Sequence, residues 1–394
     1  MYSIHRRQNT GGTGFCPNDT YMKLLDKNSL AENIEQIARY DLDNHNLFGS
    51  SYFVYQNGEI MYKKHFGYVD EAANECPDDN TVYRLASMTK PITAVAIMIL
   101  VDRGIISLDD TVSKYLPGFK DVHIISNDGI DLGRVKSEVT IKHCLTHTSG
   151  LNRENSVTFT GSEKKSNDEI IRRFIEAGLA FEPFTQQAYS GYAAFQVLGA
   201  VVKSVTGQGY GEFLKKEIFD PCDMCDTTFS PTKEHLARIM TMHSKVNDIS
   251  VVSETCPGCV FERIPYEQEL AGAGLVSTLK DYSNFAKMLL NKGEINGRRI
   301  LSEQAIREMS TPQVPKEIMP GNERWGLGVR VVVEEAYPSL SVGSFGWSGA
   351  YGSHFWIDPE NNICAVFMKN SRVDGGSGNA SARRFEKAVS DALI

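Results

Sequence analysis

A nearly continuous apolar segment between Ile92 and Val101 constrains this chain more than any other feature. Its side chains are apolar almost all the way round a helix, so the helix must be buried on every side. Gly104 supplies a natural end to it. With 394 residues, 41% of them hydrophobic, the chain is long enough to surround such a helix in one large domain or two smaller ones.

Two chemically useful side chains lie at the start of this helix. Ser87 and Lys90 are three residues apart, so the amine can reach the hydroxyl on the same helical face. The free N–H groups of a first helical turn favour negative charge nearby. Burial disfavours a charged amine, and a neutral amine can accept a proton. The same spacing is common on solvated helices, but on a buried helix it predicts a serine nucleophile with a lysine base.

The charge balance argues against several classes of partner. The 41 basic and 49 acidic residues give a net charge of −8 without any basic run, so neither nucleic acid nor a membrane surface is predicted. No stretch of about 18 apolar residues occurs, and residues 1–20 contain no apolar export signal. We expect a soluble, cytoplasmic protein that acts on a small substrate of little charge. The sequence does not specify an oligomeric state.

Eight cysteines are present, and in a reducing compartment they are expected to be free thiols. Two C-x-x-C units could instead donate four thiolates to a structural zinc ion, namely Cys222, Cys225, Cys256 and Cys259. The loop between the units is longer than in usual zinc ribbons, so unpaired thiols or a redox pair remain the alternative. No catalytic metal and no other cofactor is predicted.

Periodicity divides the chain into a sheet built from both ends and a helical middle. Strand patterns cover 51–56, 59–64, 326–334, 353–358 and 362–369. Helical patterns cover 29–46, 140–145, 167–177, 191–206, 210–219, 279–291 and 380–393. The first helix begins with a capping box at Ser29 and Glu32, and Asn57-Gly58 joins the first two strands as a hairpin.

These patterns predict an α/β fold of the α+β kind, with an antiparallel sheet flanked by the terminal helices. Residues 29–110 and 277–394 would form this sheet domain, residues 111–276 an inserted, mainly helical domain, and residues 1–28 an N-terminal extension. The functional site would lie in the crevice between the two domains.

Tyr189-Ser190-Gly191 is a second group with catalytic potential, because it closes a loop and opens a helix. A tyrosine held beside an ammonium can take the serine proton and later pass one to a leaving group. The alternative is that Tyr189 only packs, with its hydroxyl hydrogen-bonded.

A third group precedes the 353–358 strand and contains Trp347, Ser348, Gly349 and Ala350. Its glycines let the backbone approach a ligand closely. The backbone N–H groups of Ala350 and Ser87 could together stabilise the oxyanion of a tetrahedral intermediate. Glycines beside a strand also mark ordinary bulges, so the group has little force alone.

The order of these three groups resembles the motifs of the penicillin-recognising serine hydrolases. The stretches Leu-Thr-His-Thr-Ser-Gly-Leu at 145–151 and Ala-Gly-Ala-Gly-Leu at 271–275 add to the likeness, which covers about residues 30–393. The chain is similar to the group that contains class C β-lactamases, family VIII carboxylesterases and D-peptidase relatives. That resemblance implies a β-lactamase-like fold and a serine acyl-enzyme mechanism without metal.

The resemblance also implies a role for each residue. Ser87 would be the nucleophile, Lys90 and Tyr189 a coupled proton-transfer pair, and Ser87 and Ala350 the oxyanion donors. The substrate would be bound by Trp347, Ser348, Gly349 and Gly191. His147 would be a hydrogen-bonded scaffold residue rather than a catalytic one.

Two positions depart from β-lactamase practice. Gly191 stands where an Asn amide usually contacts the substrate, and Trp347 stands where a Lys or His usually binds the β-lactam carboxylate. We therefore expect a carboxylesterase acting on small esters. The alternatives are a β-lactamase or D-amino-acid peptidase acting on an amide, and a non-catalytic relative that binds an acylated ligand.

Overall fold

The computed structural model describes residues 22–70, 75–153, 166–253, 268–335, 340–376 and 378–394. Within these ranges the helices are α1 (Lys27–Asp43), α2 (Thr89–Asp102), α3 (Ile141–Leu145), α4 (Asn167–Ala177), α5 (Ala193–Thr206), α6 (Tyr210–Leu214), α7 (Lys233–Ala237), α8 (Leu279–Leu290), α9 (Glu303–Met309) and α10 (Ala380–Ser390). A π-helical turn, Lys215–Phe219, continues α6. None of the described helices combines the length and apolar character that crossing a bilayer requires.

The described strands form one large sheet, three short hairpins and one two-stranded sheet that pairs distant segments of the chain. In chain order they are β1 (Gly49–Gln56), β2 (Glu59–Gly67), β3 (Val82–Arg84), β4 (His123–Ile125), β5 (Asp131–Arg134), β6 (His243–Val246), β7 (Ile249–Val252), β8 (Val276–Thr278), β9 (Glu294–Ile295), β10 (Arg298–Arg299), β11 (Glu323–Trp325), β12 (Arg330–Val332), β13 (Phe345–Ser348), β14 (His354–Asp358) and β15 (Ile363–Met368). The seven-stranded antiparallel sheet has the order β11-β12-β13-β14-β15-β1-β2.

The central strands of the large sheet are buried on both faces because their side chains alternate between two cores. In β1, Tyr52 and Val54 pack with α1 and α10, whereas Phe53 points into the larger core on the opposite face. Successive side chains of a strand point to opposite faces, which produces this division. The hairpin predicted at Asn57-Gly58 is confirmed, and the sheet joins both ends of the chain as expected.

Helix α2 lies in the larger core and is surrounded as its composition predicted. All twelve residues from Thr89 to Leu100 are buried. Burying one large aliphatic side chain contributes about 1.5–3 kcal/mol relative to exposing it, so this helix is a main source of stability. The antiparallel sheet, with α1 and α10 against one face, agrees with the predicted α+β arrangement. The proposed division into domains at residues 111 and 276 stays a prediction.

Two local predictions are wrong. Helix α1 begins at Lys27 because Asp26 caps it by accepting the Ser29 N–H at 2.8 Å, so Ser29 is not the capping residue. Of the strand predicted over 326–334, only β12 at Arg330–Val332 forms, because a tight turn in which Gly326 N–H donates to Val329 O occupies its first part and separates it from β11. Gly328 has a φ of +71°, which an apolar β-pattern does not reveal.

Candidate active site

The strand β3 and the start of α2 place Ser87 in a short 3₁₀ turn, Ala86–Met88. The residue before it, Ala86, has a φ of +45°. A side chain with a β-carbon rarely adopts that conformation, and such backbone strain is found at functional sites more than elsewhere. The turn leaves Ser87 half-buried at the mouth of the buried helix. The hydroxyl is therefore held in one place and remains open to a ligand.

The Lys90 amine is fully buried and has a defined set of neighbours. Its Nζ donates to Gly191 O at 2.6 Å and to Gly272 O at 2.8 Å, and it lies 3.3 Å from Ser87 Oγ. Two carbonyls thus accept hydrogen bonds from two of its N–H groups. The third tetrahedral position on the nitrogen points at the serine. On a neutral amine that position is a lone pair, which can accept the Ser87 proton.

The Tyr189 hydroxyl meets the same serine from the other side. It lies 2.8 Å from Ser87 Oγ, and the Trp347 indole N–H donates to it at 3.3 Å. The Tyr189 ring also faces the Lys90 amine, 5.0 Å from the ring centroid. Ser87, Lys90 and Tyr189, which are far apart in sequence, therefore share one set of hydrogen bonds.

His147 supports this arrangement without touching the serine. Its Nδ1 accepts the backbone N–H of Ser190 at 3.0 Å, and its ring lies 4.5 Å from that of Tyr189. Burial holds the pKa of His147 well below its ordinary value, and Lys90 lowers it further whenever its amine is protonated. A neutral imidazole can keep accepting the Ser190 N–H. Its place behind Tyr189 agrees with the scaffold role expected for it.

Trp325, on β11, is a site residue that sequence reasoning missed. Its ring lies 4.3 Å from that of His147 and 4.5 Å from that of Trp347. Together with Tyr189, these rings form an aromatic wall beside the serine. Trp325 lies in no motif and precedes the segment that the sequence pattern predicts to be a strand, so no local pattern indicates its place in the site.

The third motif forms strand β13 and the turn that follows it. Gly349 packs so closely that a β-carbon there would lie 2.4 Å from Leu85 O, next to the serine turn. Ala350 is exposed beyond it. In the described part of the chain, neither the Ser87 N–H nor the Ala350 N–H donates to a protein acceptor. Both N–H groups are therefore available to a ligand oxygen.

Ser348 differs from what was expected of it as a substrate-binding residue. Trp347 faces Tyr189, so the next side chain on the strand points to the opposite face of the sheet. The Ser348 hydroxyl is accordingly 2% exposed and lies 2.7 Å from His354 Nδ1. This position is contrary to a direct contact between the Ser348 hydroxyl and a substrate.

Gly191 leaves open space at the site. Its carbonyl binds Lys90, but a β-carbon built on it would meet no described atom within 4 Å. The position could therefore accept a β-carbon without a clash. Crowding around the β-carbon position therefore does not explain why a glycine stands here.

The zinc prediction falls partly outside the described residues, where Cys256 and Cys259 lie. Cys222 is buried and Cys225 is exposed, and both are free thiols. Burial raises the pKa of the Cys222 thiol to about 12, which disfavours the thiolate that zinc requires. Within the described ranges no three His, Cys, Asp or Glu side chains cluster as metal ligands. The structural zinc site stays an untested prediction.

A serine hydroxyl that meets a buried amine and a phenol at one oxygen is the apparatus of a serine hydrolase. The β-lactamase family model matches residues 34–388, and the protein belongs to that family of serine hydrolases. The resemblance first seen in the motifs is thereby confirmed, and so is the β-lactamase-like fold that it implied.

Named relatives include esterases and penicillin-binding proteins. Esterase EstB of Burkholderia gladioli is 28% identical over 386 residues, which cover 90% of this chain and 94% of EstB. Among solved structures, EstCE1, described as a hydrolase with promiscuous acyltransferase activity, superposes with a TM-score of 0.76 at 22% identity, over 92% of this chain and 99% of EstCE1. An octameric penicillin-binding protein homologue from Pyrococcus abyssi has a TM-score of 0.69 at 25% identity, over 92% and 76% of the two chains.

Proposed function

We propose that this hydrolase is a carboxylesterase that acts on small, uncharged esters through an acyl-enzyme on Ser87. The observation that carries the proposal is the convergence of Lys90 Nζ, at 3.3 Å, and Tyr189 OH, at 2.8 Å, on Ser87 Oγ. The two groups can accept the serine proton and return it, as covalent catalysis requires.

In the first half of the reaction, Ser87 Oγ attacks the ester carbonyl while its proton passes to the Lys90 and Tyr189 pair. The carbonyl oxygen becomes an oxyanion, for which the N–H groups of Ser87 and Ala350 are the proposed donors. When the C–O bond to the alcohol breaks, the pair returns the proton to the leaving alkoxide. Tyr189 is suited to this transfer because its hydroxyl contacts Ser87 Oγ and the residue is 38% exposed, so a leaving group can reach it.

In the second half, water attacks the acyl carbon and the same pair takes a proton from it. The ester bond to Ser87 breaks, the acid leaves, and the proton returns to Ser87 Oγ. The Trp347 indole, which donates to Tyr189 OH, would stabilise the Tyr189 phenolate whenever the tyrosine has given up its proton.

The preference for esters rests on Trp347 and Gly191. The Trp347 indole is uncharged and directs its N–H at Tyr189, so this residue offers no cation to a substrate carboxylate. Gly191 has no side-chain amide to bind an acyl amide. A β-lactam would lose both contacts, whereas an uncharged ester needs neither. Similarity to an esterase along nearly the whole chain supports the same assignment.

We predict that kcat/KM for a p-nitrophenyl short-chain ester exceeds that for a chromogenic cephalosporin by at least about a hundredfold. This ratio corresponds to about 2.7 kcal/mol, the combined value of one charge-assisted and one neutral hydrogen bond. Steady-state rates with both substrates and with a D-amino-acid peptide measure it. Faster turnover of the cephalosporin or the peptide would assign the protein to β-lactamases or peptidases, and no turnover of any substrate would favour a binding protein.

Two variants test the residues behind that preference. Trp347→Lys should raise kcat/KM for the cephalosporin, and Gly191→Asn should do the same, since a β-carbon at position 191 meets no described atom within 4 Å. Gly207→Asn, at a glycine that ends α5 in the left-handed conformation at φ +69°, is the matched control and should leave the ratio unchanged. A wild-type ratio that neither variant narrows would mean that these two positions do not set the preference.

A further inference from the structure

A buried network of hydrogen-bonded polar side chains lies behind the third motif, on the face of the sheet away from the reacting serine. Ser348 Oγ lies 2.7 Å from His354 Nδ1, and His354 Nε2 lies 3.1 Å from Glu386 Oε1. The three side chains come from β13, β14 and α10, and each is at most 2% exposed. Their seclusion excludes them from direct contact with a substrate.

The donors and acceptors in this network can be assigned in only one way. Glu386 pairs with Arg330 at 2.9 Å and with Arg383 at 2.8 Å, so it is held as a carboxylate and can only accept. His354 therefore donates to it from Nε2, and its Nδ1 accepts the Ser348 O–H. Burial, which outweighs the effect of Glu386, lowers the pKa of His354 and keeps it neutral. Glu323, 3.1 Å from Arg330 and 2.9 Å from Arg383, balances the second arginine.

The strand that carries Ser348 also carries Trp347 and leads into the turn that contains Gly349 and Ala350. Trp347, one residue earlier, donates to Tyr189 OH from the opposite face. One residue later, Gly349 lies against Leu85 O and leads into Ala350. A strand that shifts by a fraction of an ångström moves the indole N–H and the Ala350 N–H together. Fixing Ser348 from behind therefore fixes both.

We propose that Ser348, His354 and Glu386 form a positioning relay that anchors β13 to α10 and holds Trp347 and Ala350 in register with Ser87. The inference rests on the proposed acyl-enzyme chemistry at Ser87. The relay touches neither the substrate nor the reacting atoms. It acts on the transition state by placing the donors that do, and small misplacements of such groups cost up to about a hundredfold in rate.

Ser348→Ala tests the relay, and Ser344→Ala is its matched control. Ser344 is also buried, just before the same strand, but its hydroxyl has no hydrogen-bond partner in the described part of the chain. Ser348→Ala should lower kcat for a p-nitrophenyl ester by about ten- to a hundredfold with KM changed less than threefold, because the lost placement matters in the transition state. Ser344→Ala should leave both constants within twofold of the wild type.

Equal kcat values for the two variants would overturn the relay, and so would a Ser348→Ala effect confined to KM. If Ser348→Ala does not fold, ¹⁵N NMR of the wild-type histidines decides, with His354 assigned by its loss in His354→Gln. The relay requires a neutral His354 protonated at Nε2, and a charged ring or the Nδ1–H tautomer contradicts it. Failure of the proposed acyl-enzyme chemistry at Ser87 shows differently, because the wild type itself would then form no acyl-enzyme.

Discussion

Lys90→Met is expected to lower kcat for a p-nitrophenyl ester by about a thousandfold. Methionine fills nearly the same space in the buried position, but it can neither accept the serine proton nor donate to Gly191 O and Gly272 O. Loss of a general base costs about 10²–10⁴ in rate, and this lysine also orders the loop before α5. Lys287→Met, at a half-buried lysine on α8 over the Tyr55 ring, is the control and should keep wild-type kcat.

Tyr189→Phe measures whether the phenol and the amine act as one unit. It should lower kcat by about a hundredfold or more, and its loss should not multiply with that of Lys90→Met, because each change interrupts the same proton path. The double variant should be about as slow as the slower single variant. Independent, multiplicative losses would mean that one of the two residues only positions the substrate.

Ser87→Ala has the largest expected effect, a loss of about 10⁴-fold or more in kcat. Removing the nucleophile leaves only binding and oxyanion stabilisation, and comparable serine enzymes lose about 10⁶-fold in this way. Thermal unfolding should change little because Ser87 is half-buried at the helix mouth. Ser283→Ala, at a buried serine on α8 whose hydroxyl lacks a partner among the described residues, should retain full activity. Residual activity near one-tenth of the wild type in Ser87→Ala would assign the nucleophile elsewhere.

The sequence predicted those parts of the site that depend on short-range geometry. Ser87 and Lys90 are one helical turn apart, so their contact follows from helix geometry once the segment is known to be a buried helix. The hairpin at Asn57-Gly58 follows from turn chemistry in the same way. Both expectations concern fewer than ten residues of chain.

The partners that come from distant parts of the chain could not be derived locally. Local sequence leaves Tyr189 open between packing and catalysis, and only the resemblance to known motifs assigns it a catalytic role, since its contact with Ser87 spans 102 residues. The Gly272 carbonyl is 182 residues from the lysine it binds, and Trp325 belongs to no motif. The fold brings these groups together, and no periodicity in the sequence records it.

Ser348 shows how strand alternation decides a role that a motif leaves open. The motif places it beside Trp347, and both residues were expected to contact the substrate. Once β13 is seen to be a strand, only one of two neighbours can face Tyr189, and the hydrogen bond from Trp347 shows which one does. The sequence pattern indicates only a glycine-containing segment before the next strand, so it does not show that neighbouring side chains must face opposite sides of a sheet.

Covalent labelling tests the central claim most directly. The wild-type protein, treated with a fluorophosphonate and analysed by intact mass and peptide mapping, should gain one adduct on Ser87. Ser87→Ala should gain none, and Lys90→Met should label far more slowly than Lys287→Met, because the nucleophile would then lack its base. An adduct that persists in Ser87→Ala, or that maps to another residue in the wild type, would contradict the account.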